Sequence, residues 1–235
     1  MSVVAIITAR GGSKRIPRKN IKSFMGRPMI AYAIDAALGS GIFEETMIST
    51  DDDEIAQIAK KHGADVPFMR SAMTSDDSAT TSDVLNEVIV EYQKRGKIFE
   101  HFCCIYPCVP FLDSDLLKRA YQKFLSSGAD SLLPVVQYSS PIQRALQIDQ
   151  KGFVEYREPE HERTRSQDLP PMFHDVGMFY FCTTSVFLDN QKIVGDKTTY
   201  ILIPESQNQD IDTIDDWKMA ELKYQLIRTM EKSHV

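Results

Sequence analysis

The chain has 235 residues, of which 43% are apolar and 26% charged, and 33 acidic against 27 basic side chains give it a net charge of −6. That size fits one domain with a substantial core, and the acidic balance argues against a general nucleic-acid binder. No window reaches the roughly 18 consecutive apolar residues of a membrane span, so no membrane partner is expected.

The first element is a continuous apolar run, Val3 to Ile7, the pattern of a strand buried on both faces. A loop follows in which Gly11 and Gly12 are crowded by Arg10, Lys14, Arg15, Arg18 and Lys19, with no acidic residue before Asp35. Glycines let backbone N–H groups approach phosphate oxygens, and the cations offset charge that a crevice cannot solvate. The loop contains neither GxxxxGK[ST] nor GxGxxG, which counts against a P-loop NTPase and a dinucleotide dehydrogenase. Taken alone, a solvated basic turn is the alternative reading. The apolar run is too short for a signal peptide, so a cytoplasmic protein is expected.

Pro28 opens a helix closed by Gly39 to Gly41, and a short strand spans Thr46 to Ser49. Thr50 and the run Asp51–Asp52–Asp53 can cap a helix from Glu54 to His62. Strand, basic loop, helix, strand, helix is the alternating order of a doubly wound α/β sheet. Ser78 to Arg95 reads as a long helix and Phe102 to Tyr106 as a buried strand. A helix capped by Asp113 or Ser114 runs to Leu125, and Ser131 to Val136 is a further strand.

After Ser139 the character changes. Two short segments, Ala145 to Ile148 and Phe153 to Tyr156, flank Asp149 to Gly152 as a hairpin, and Arg157 to Pro171 is strongly charged. This stretch, about 140–172, reads as a protruding arm or subunit contact, with a surface loop as the alternative. Val176 to Cys182 and Thr199 to Ile203 return to the sheet, and Ile214 to Met230 closes the chain as an amphipathic helix. No repeat or interdomain linker divides residues 1–235. The four cysteines, Cys103, Cys104, Cys108 and Cys182, lack zinc-like spacing and read as reduced thiols.

A second chemical feature is Asp210–Ile211–Asp212–Thr213, followed by Asp215. In an extended segment, side chains two apart share a side, so Asp210 and Asp212 can hold one ion while Ile211 faces the core. Hard carboxylate oxygens suit Mg²⁺, with Mn²⁺ as an alternative ion. Helix capping explains Thr213 or Asp215 without any such role. A doubly wound sheet can bring loop and carboxylates to one edge, a set suited to a nucleoside triphosphate and phosphoryl or nucleotidyl transfer.

These residues resemble the CMP-nonulosonic acid synthetases, the cytidylyltransferases that include the acylneuraminate enzymes. The family signature ARGGSK…KN is matched by Ala9 to Lys14, Lys19 and Asn20. The likeness continues through Ser49–Thr50–Asp51, Arg70, Ser75–Asp76–Asp77, Ser82 and Asp210 to Thr213, and so spans the chain. Where sialic and legionaminic acid enzymes read LQPTSP, this chain has Ile105 to Phe111, with Tyr106 in the place of a substrate-contacting glutamine. That departure, with Phe173 to Gly177, resembles the branch acting on pseudaminic acid; the sialic and legionaminic acid branches are the alternative.

The resemblance implies a Rossmann-like mixed sheet of nucleotidyltransferase type and the conversion of CTP and an acidic nine-carbon sugar to a CMP-sugar and pyrophosphate. It implies that Arg10, Gly11, Ser13, Lys19 and Asn20 hold the CTP phosphates and ribose, with Lys19, Arg10 and Asp212 as catalytic groups. Arg70 and Ser82 would contact the nucleotide, Asp210 and Asp212 would bind Mg²⁺, and Tyr106, His174 and Asp175 would line the sugar pocket. The arm would pair two subunits in a homodimer and offer Arg144, Arg163 or Arg165 to the neighbour's sugar carboxylate. Two other classes stay open at this point: a nucleotide-sugar transferase with Asp51–Asp53 as its metal site, and a non-catalytic nucleotide-binding relative.

Overall fold

A computed structural model describes residues 2–76 and 78–232. Its strands are β1 (Val3–Thr8), β2 (Ser23–Phe24), β3 (Arg27–Pro28), β4 (Glu45–Ser49), β5 (His101–Ile105), β6 (Ser131–Gln137), β7 (Leu146–Ile148), β8 (Val154–Tyr156), β9 (Phe173–Asp175), β10 (Phe179–Thr183) and β11 (Thr198–Leu202). The α-helices are α1 (Ile30–Ser40), α2 (Asp53–Lys61), α3 (Thr81–Lys94), α4 (Ser114–Ser127), α5 (Thr184–Asn190) and α6 (Ile214–Lys232).

The main sheet has seven strands in the order β11-β6-β10-β5-β1-β4, with β9 also paired to β6. β5, β1 and β4 are parallel, as are β11 and β6, whereas β10 runs antiparallel between β5 and β6. β1 sends Val3, Ala5 and Ile7 to one face, where they pack with α1, α2 and α4. Val4 and Ile6 face the other side, among Leu85, Val88 and Ile89 of α3 and Phe187 of α5. Helices on both faces of a mixed sheet give the doubly wound architecture that the unbroken apolar run requires.

Several boundaries differ from the sequence expectation, each for a local reason. Pro28 lies in the antiparallel ribbon β2–β3 and not at the start of a helix, because Met25 and Gly26 adopt positive φ (48° and 85°) and turn the chain back first. α3 begins at Thr81, three residues later than expected. Asp76 accepts the Ser78 and Ala79 N–H groups in a turn, and a capping box between Thr80 and Asp83 then starts the helix. Residues 176–178 interrupt the strand as a bulge, although Val176 N still donates to Pro134 O: from Asp175 to Phe181 the chain advances six residues while its partner on β6, Val135 to Leu132, advances three. This bulge carries Gly177 at φ 64°. α5 falls on a stretch where no element was expected.

The segment between β6 and β9 contains β7 and β8, which pair with each other, and three single-turn helices. Leu146, Ile148, Phe153 and Val154 of the hairpin are 57–75% exposed. At the other end of the molecule a third cluster joins Ile16, Phe24, Met29 and Tyr32 to Ile211, Trp217 and Ala220, binding the loop after β1 to the start of α6. Among the described residues, no helix is long and apolar enough to cross a membrane.

Candidate active site

The carboxyl end of β1 opens into two adjoining clefts that share Thr8 and Arg10 as a common wall. The larger, of about 400 Å³, is lined by Ser13, Arg15, Lys19, Asn20 and Asp212 among others. The smaller, of about 230 Å³, runs between Arg70, Thr80, Thr81 and Tyr106. This is the strand edge at which ligands bind in open α/β sheets.

The basic loop is held in shape mostly by its own backbone and by the acidic run after β4. Gly11 N donates to Asp51 Oδ1 at 2.9 Å, and a Cβ on Gly11 would stand 2.7 Å from Asp52 Oδ2, so glycine is required there. Asp52 caps α2 by accepting from Ile55 N at 2.9 Å and is bound by the Arg18 guanidinium, which also reaches Glu54. Arg18 itself adopts φ 56°, a left-handed conformation that aims its side chain back at α2. The Asp51–Asp53 run is therefore engaged in fixing the loop and the helix start, which removes the support for its use as a metal site.

Asp212 joins the loop from the far end of the chain. Arg15 Nη1 donates to Asp212 Oδ2 at 2.8 Å, Lys19 Nζ lies 3.6 Å from Oδ1, and Lys19 also donates to Ile211 O at 2.7 Å. These contacts are partly exposed, and such ion pairs contribute about 0–1 kcal/mol. Burying an isoleucine contributes about 1.5–3 kcal/mol. Ile16 and Ile211, 1% and 2% exposed in one cluster, are thus what brings the two segments together, and the ion pairs follow. Asp216 accepts from the N–H groups of Asp212 and Thr213 and from the Thr213 hydroxyl, closing a capping box on α6. Thr213 is the cap as expected; Asp215 is not, and its side chain faces solvent beside Lys218.

Asn20 is 5% exposed, and its Nδ2 donates to Arg10 O at 2.8 Å while its Oδ1 accepts from the Cys108 thiol at 3.3 Å. Burial pushes the Cys108 thiol up to about 12; Lys19 opposes the rise, and Asp210 and Asp212 add to it. Asp210 is exposed, one residue before the buried Ile211. Asp210 lines neither cleft, so of the two carboxylates Asp212 alone faces the larger one; its hard oxygens are the kind of donor that Mg²⁺ takes.

In the smaller cleft, Arg70 is 9% exposed and donates to the Ser49 hydroxyl at 3.0 Å and to Ser49 O at 2.6 Å. Burial pulls its pKa down, with Asp51 and Glu87 opposing. Tyr106 bonds to Thr81 Oγ1 at 3.2 Å and packs edge-on against Tyr180, and burial raises its phenol pKa. Tyr180 donates to Asp175 Oδ2 at 2.7 Å, and the other Asp175 oxygen accepts from Gly177 N in the bulge.

Arg10, Ser13, Lys19, Asn20 and Asp212 thus meet in the larger cleft, and Arg70 and Tyr106 in the smaller. Gly11 shapes the loop behind them. Ser82 lies on the first turn of α3, one residue beyond Thr81, and lines neither cleft. His174 is on β9 against Tyr138, and Arg165 is exposed on the arm, neither lining these clefts. Asp77 lies outside the described residues. Thr80 and Thr81 line the smaller cleft without having been singled out from the sequence, and Arg15, one of the loop cations expected there, lines the larger.

The site is thus a cation-lined cleft at the strand edge of a mixed α/β sheet, completed by a carboxylate from the far end of the chain, and proteins of this fold include nucleotidyltransferases. Among solved structures, a CMP:2-keto-3-deoxy-manno-octonic acid synthetase complexed with CTP superposes with a TM-score of 0.67 at 17% identity, covering 97% of this chain and 100% of that one. A 4-diphosphocytidyl-2C-methyl-D-erythritol synthase from Anaerococcus prevotii gives 0.66 at 15%, covering 95% and 98%. The cytidylyltransferase profile matches residues 4–193, and the chain belongs to that family. A pseudaminic acid cytidylyltransferase of Campylobacter jejuni is 41% identical over 96% of this chain and 97% of its own length. A CMP-N,N'-diacetyllegionaminic acid synthase of Legionella pneumophila is 32% identical over 94% and 95%.

Proposed function

We propose that this chain transfers CMP from CTP to the anomeric hydroxyl of pseudaminic acid, releasing pyrophosphate. The observation that carries the chemistry is the meeting of Lys19 and Asp212 on one wall of the larger cleft. The choice of sugar rests on the 41% identity to the Campylobacter enzyme and on Tyr106.

In this reading the two clefts take the two ends of the nucleotide. Arg10, Ser13 and Lys19 bind the triphosphate in the larger, with Lys19 stabilising charge that develops on the α-phosphate. Arg70 and the start of α3 contact the nucleoside in the smaller, and Tyr106, at its edge, orients the sugar. Asp210 and Asp212 hold Mg²⁺, which when bound supplies charge stabilisation and acidifies the attacking hydroxyl. The exposed apolar hairpin β7–β8 is the contact surface of a homodimer, through which Arg165 reaches the partner's sugar. Four cysteines without disulfides suit the cytoplasm.

The test is pyrophosphate release from CTP, Mg²⁺ and pseudaminic acid. Release that stops with EDTA, and is much weaker when UTP, ATP or GTP replaces CTP, is expected. No release with CTP and any nonulosonic acid overturns the reading.

A further inference from the structure

Arg15 has no part in the phosphate-binding set above, yet it lines the larger cleft with its Nη1 on Asp212 Oδ2 at 2.8 Å. The buried Ile16 and Ile211 fix the main chain on both sides of this pair, so the two side chains meet whatever the strength of their own contact. Lys19 faces the other oxygen, Asp212 Oδ1. The carboxylate keeps free lone pairs, but two cations held against it repel an approaching divalent ion, and releasing one of them relieves that repulsion.

The two cations are not equally free to leave. The Lys19 side chain is 23% exposed and anchored on Ile211 O, whereas that of Arg15 is 68% exposed on the cleft rim. Exposed pairs are weak enough to exchange. A guanidinium fork fits phosphate oxygens as well as it fits a carboxylate.

We propose that Arg15 is an exchangeable counter-ion: it neutralises Asp212, and passes to the nucleotide's phosphates when a divalent cation takes its place on the carboxylate. The exchange keeps local charge balanced at each stage and couples metal arrival to phosphate capture. It rests on the reading of Asp212 as a metal ligand and of the cleft as the triphosphate site.

The proposal demands opposite effects from one substitution. Full-length protein and Arg15→Ala are titrated with MnCl₂ alone, read by the EPR signal of free Mn²⁺, and with CTP in EDTA, read by calorimetry. Arg15→Ala is expected to bind Mn²⁺ about two- to fivefold tighter, the worth of an exposed ion pair. It is expected to bind metal-free CTP about five- to tenfold more weakly, the loss of one charge-assisted contact. Adding Asp212→Asn to Arg15→Ala should abolish the gain in Mn²⁺ affinity. Arg15→Lys, which keeps the charge, should leave Mn²⁺ affinity near the parent value and serves as the check should Arg15→Ala fold poorly. Unchanged or weaker Mn²⁺ binding by Arg15→Ala, or undiminished CTP binding, overturns the counter-ion role. Failure of the parent protein to bind CTP with or without metal overturns the cytidylyltransferase site itself.

Discussion

A methyl group on Gly11 would collide with the carboxylate of Asp52, which is already held by Arg18 and by the first turn of α2. Gly11→Ala must therefore displace the loop or the cap, and a cost of about 1–3 kcal/mol is expected in urea unfolding, with a higher KM for CTP. Arg18 holds the Asp52 carboxyl down to about 2 from its usual 3.8, with the Ile55 N–H helping and burial opposing. A folded-state value below the unfolded one means that this contribution is full above about pH 4 and is lost as pH falls from there through about 2. The urea midpoint of the parent protein should fall more steeply through that window than that of Asp52→Asn. An equal slope in both would deny the pairing. At Lys19, removal of the amine in Lys19→Ala should lower kcat by about 10²–10³ with the fold intact by circular dichroism; a fall in stability with kcat unchanged would make the lysine structural.

At the scale of elements, the segment leading into α6 carries the carboxylates proposed to hold a metal, and a capping box starts the helix itself. Asp216→Ala is expected to cost about 1 kcal/mol, the usual value of such a cap. Because Asp212 N–H also donates to Asp216, kcat should fall as well while helical content is kept. The loop after β1 and the Asp210–Asp212 pair were legible in sequence because each concentrates its chemistry in consecutive or alternating residues. Thr80 and Thr81 were not, nor was the pairing of Arg15 with Asp212. That pairing depends on which neighbour of the loop is buried, and the two threonines on where the Asp76 turn and the Thr80 cap start α3. The bulge at residues 176–178 was likewise invisible, since it arises from register between β6 and the β9–β10 segment and leaves little mark but Gly177. On the arm, Ile148→Asp with Phe153→Asp should convert a dimer to a folded monomer by light scattering. A parent protein that is already monomeric contradicts the hairpin contact.

For the whole molecule, the parallel run β5-β1-β4 sets the two clefts at its carboxyl edge, and the buried contact of Ile16 with the Ile211 cluster brings the two ends of the chain together there. The alternation of elements pointed to an α/β sheet, and the ordered motifs pointed to the family that the profile match then showed. The sugar rests on less: one tyrosine in place of a glutamine, seated between Thr81 and Tyr180, and the likeness to relatives that act on that acid. The most direct test is kcat/KM for pyrophosphate release with CTP and Mg²⁺, measured separately for pseudaminic, N-acetylneuraminic and N,N'-diacetyllegionaminic acids. Pseudaminic acid should exceed the other two by at least about tenfold, the 1.4 kcal/mol that a well-placed polar contact supplies. Preference for either of the other acids would contradict the assignment.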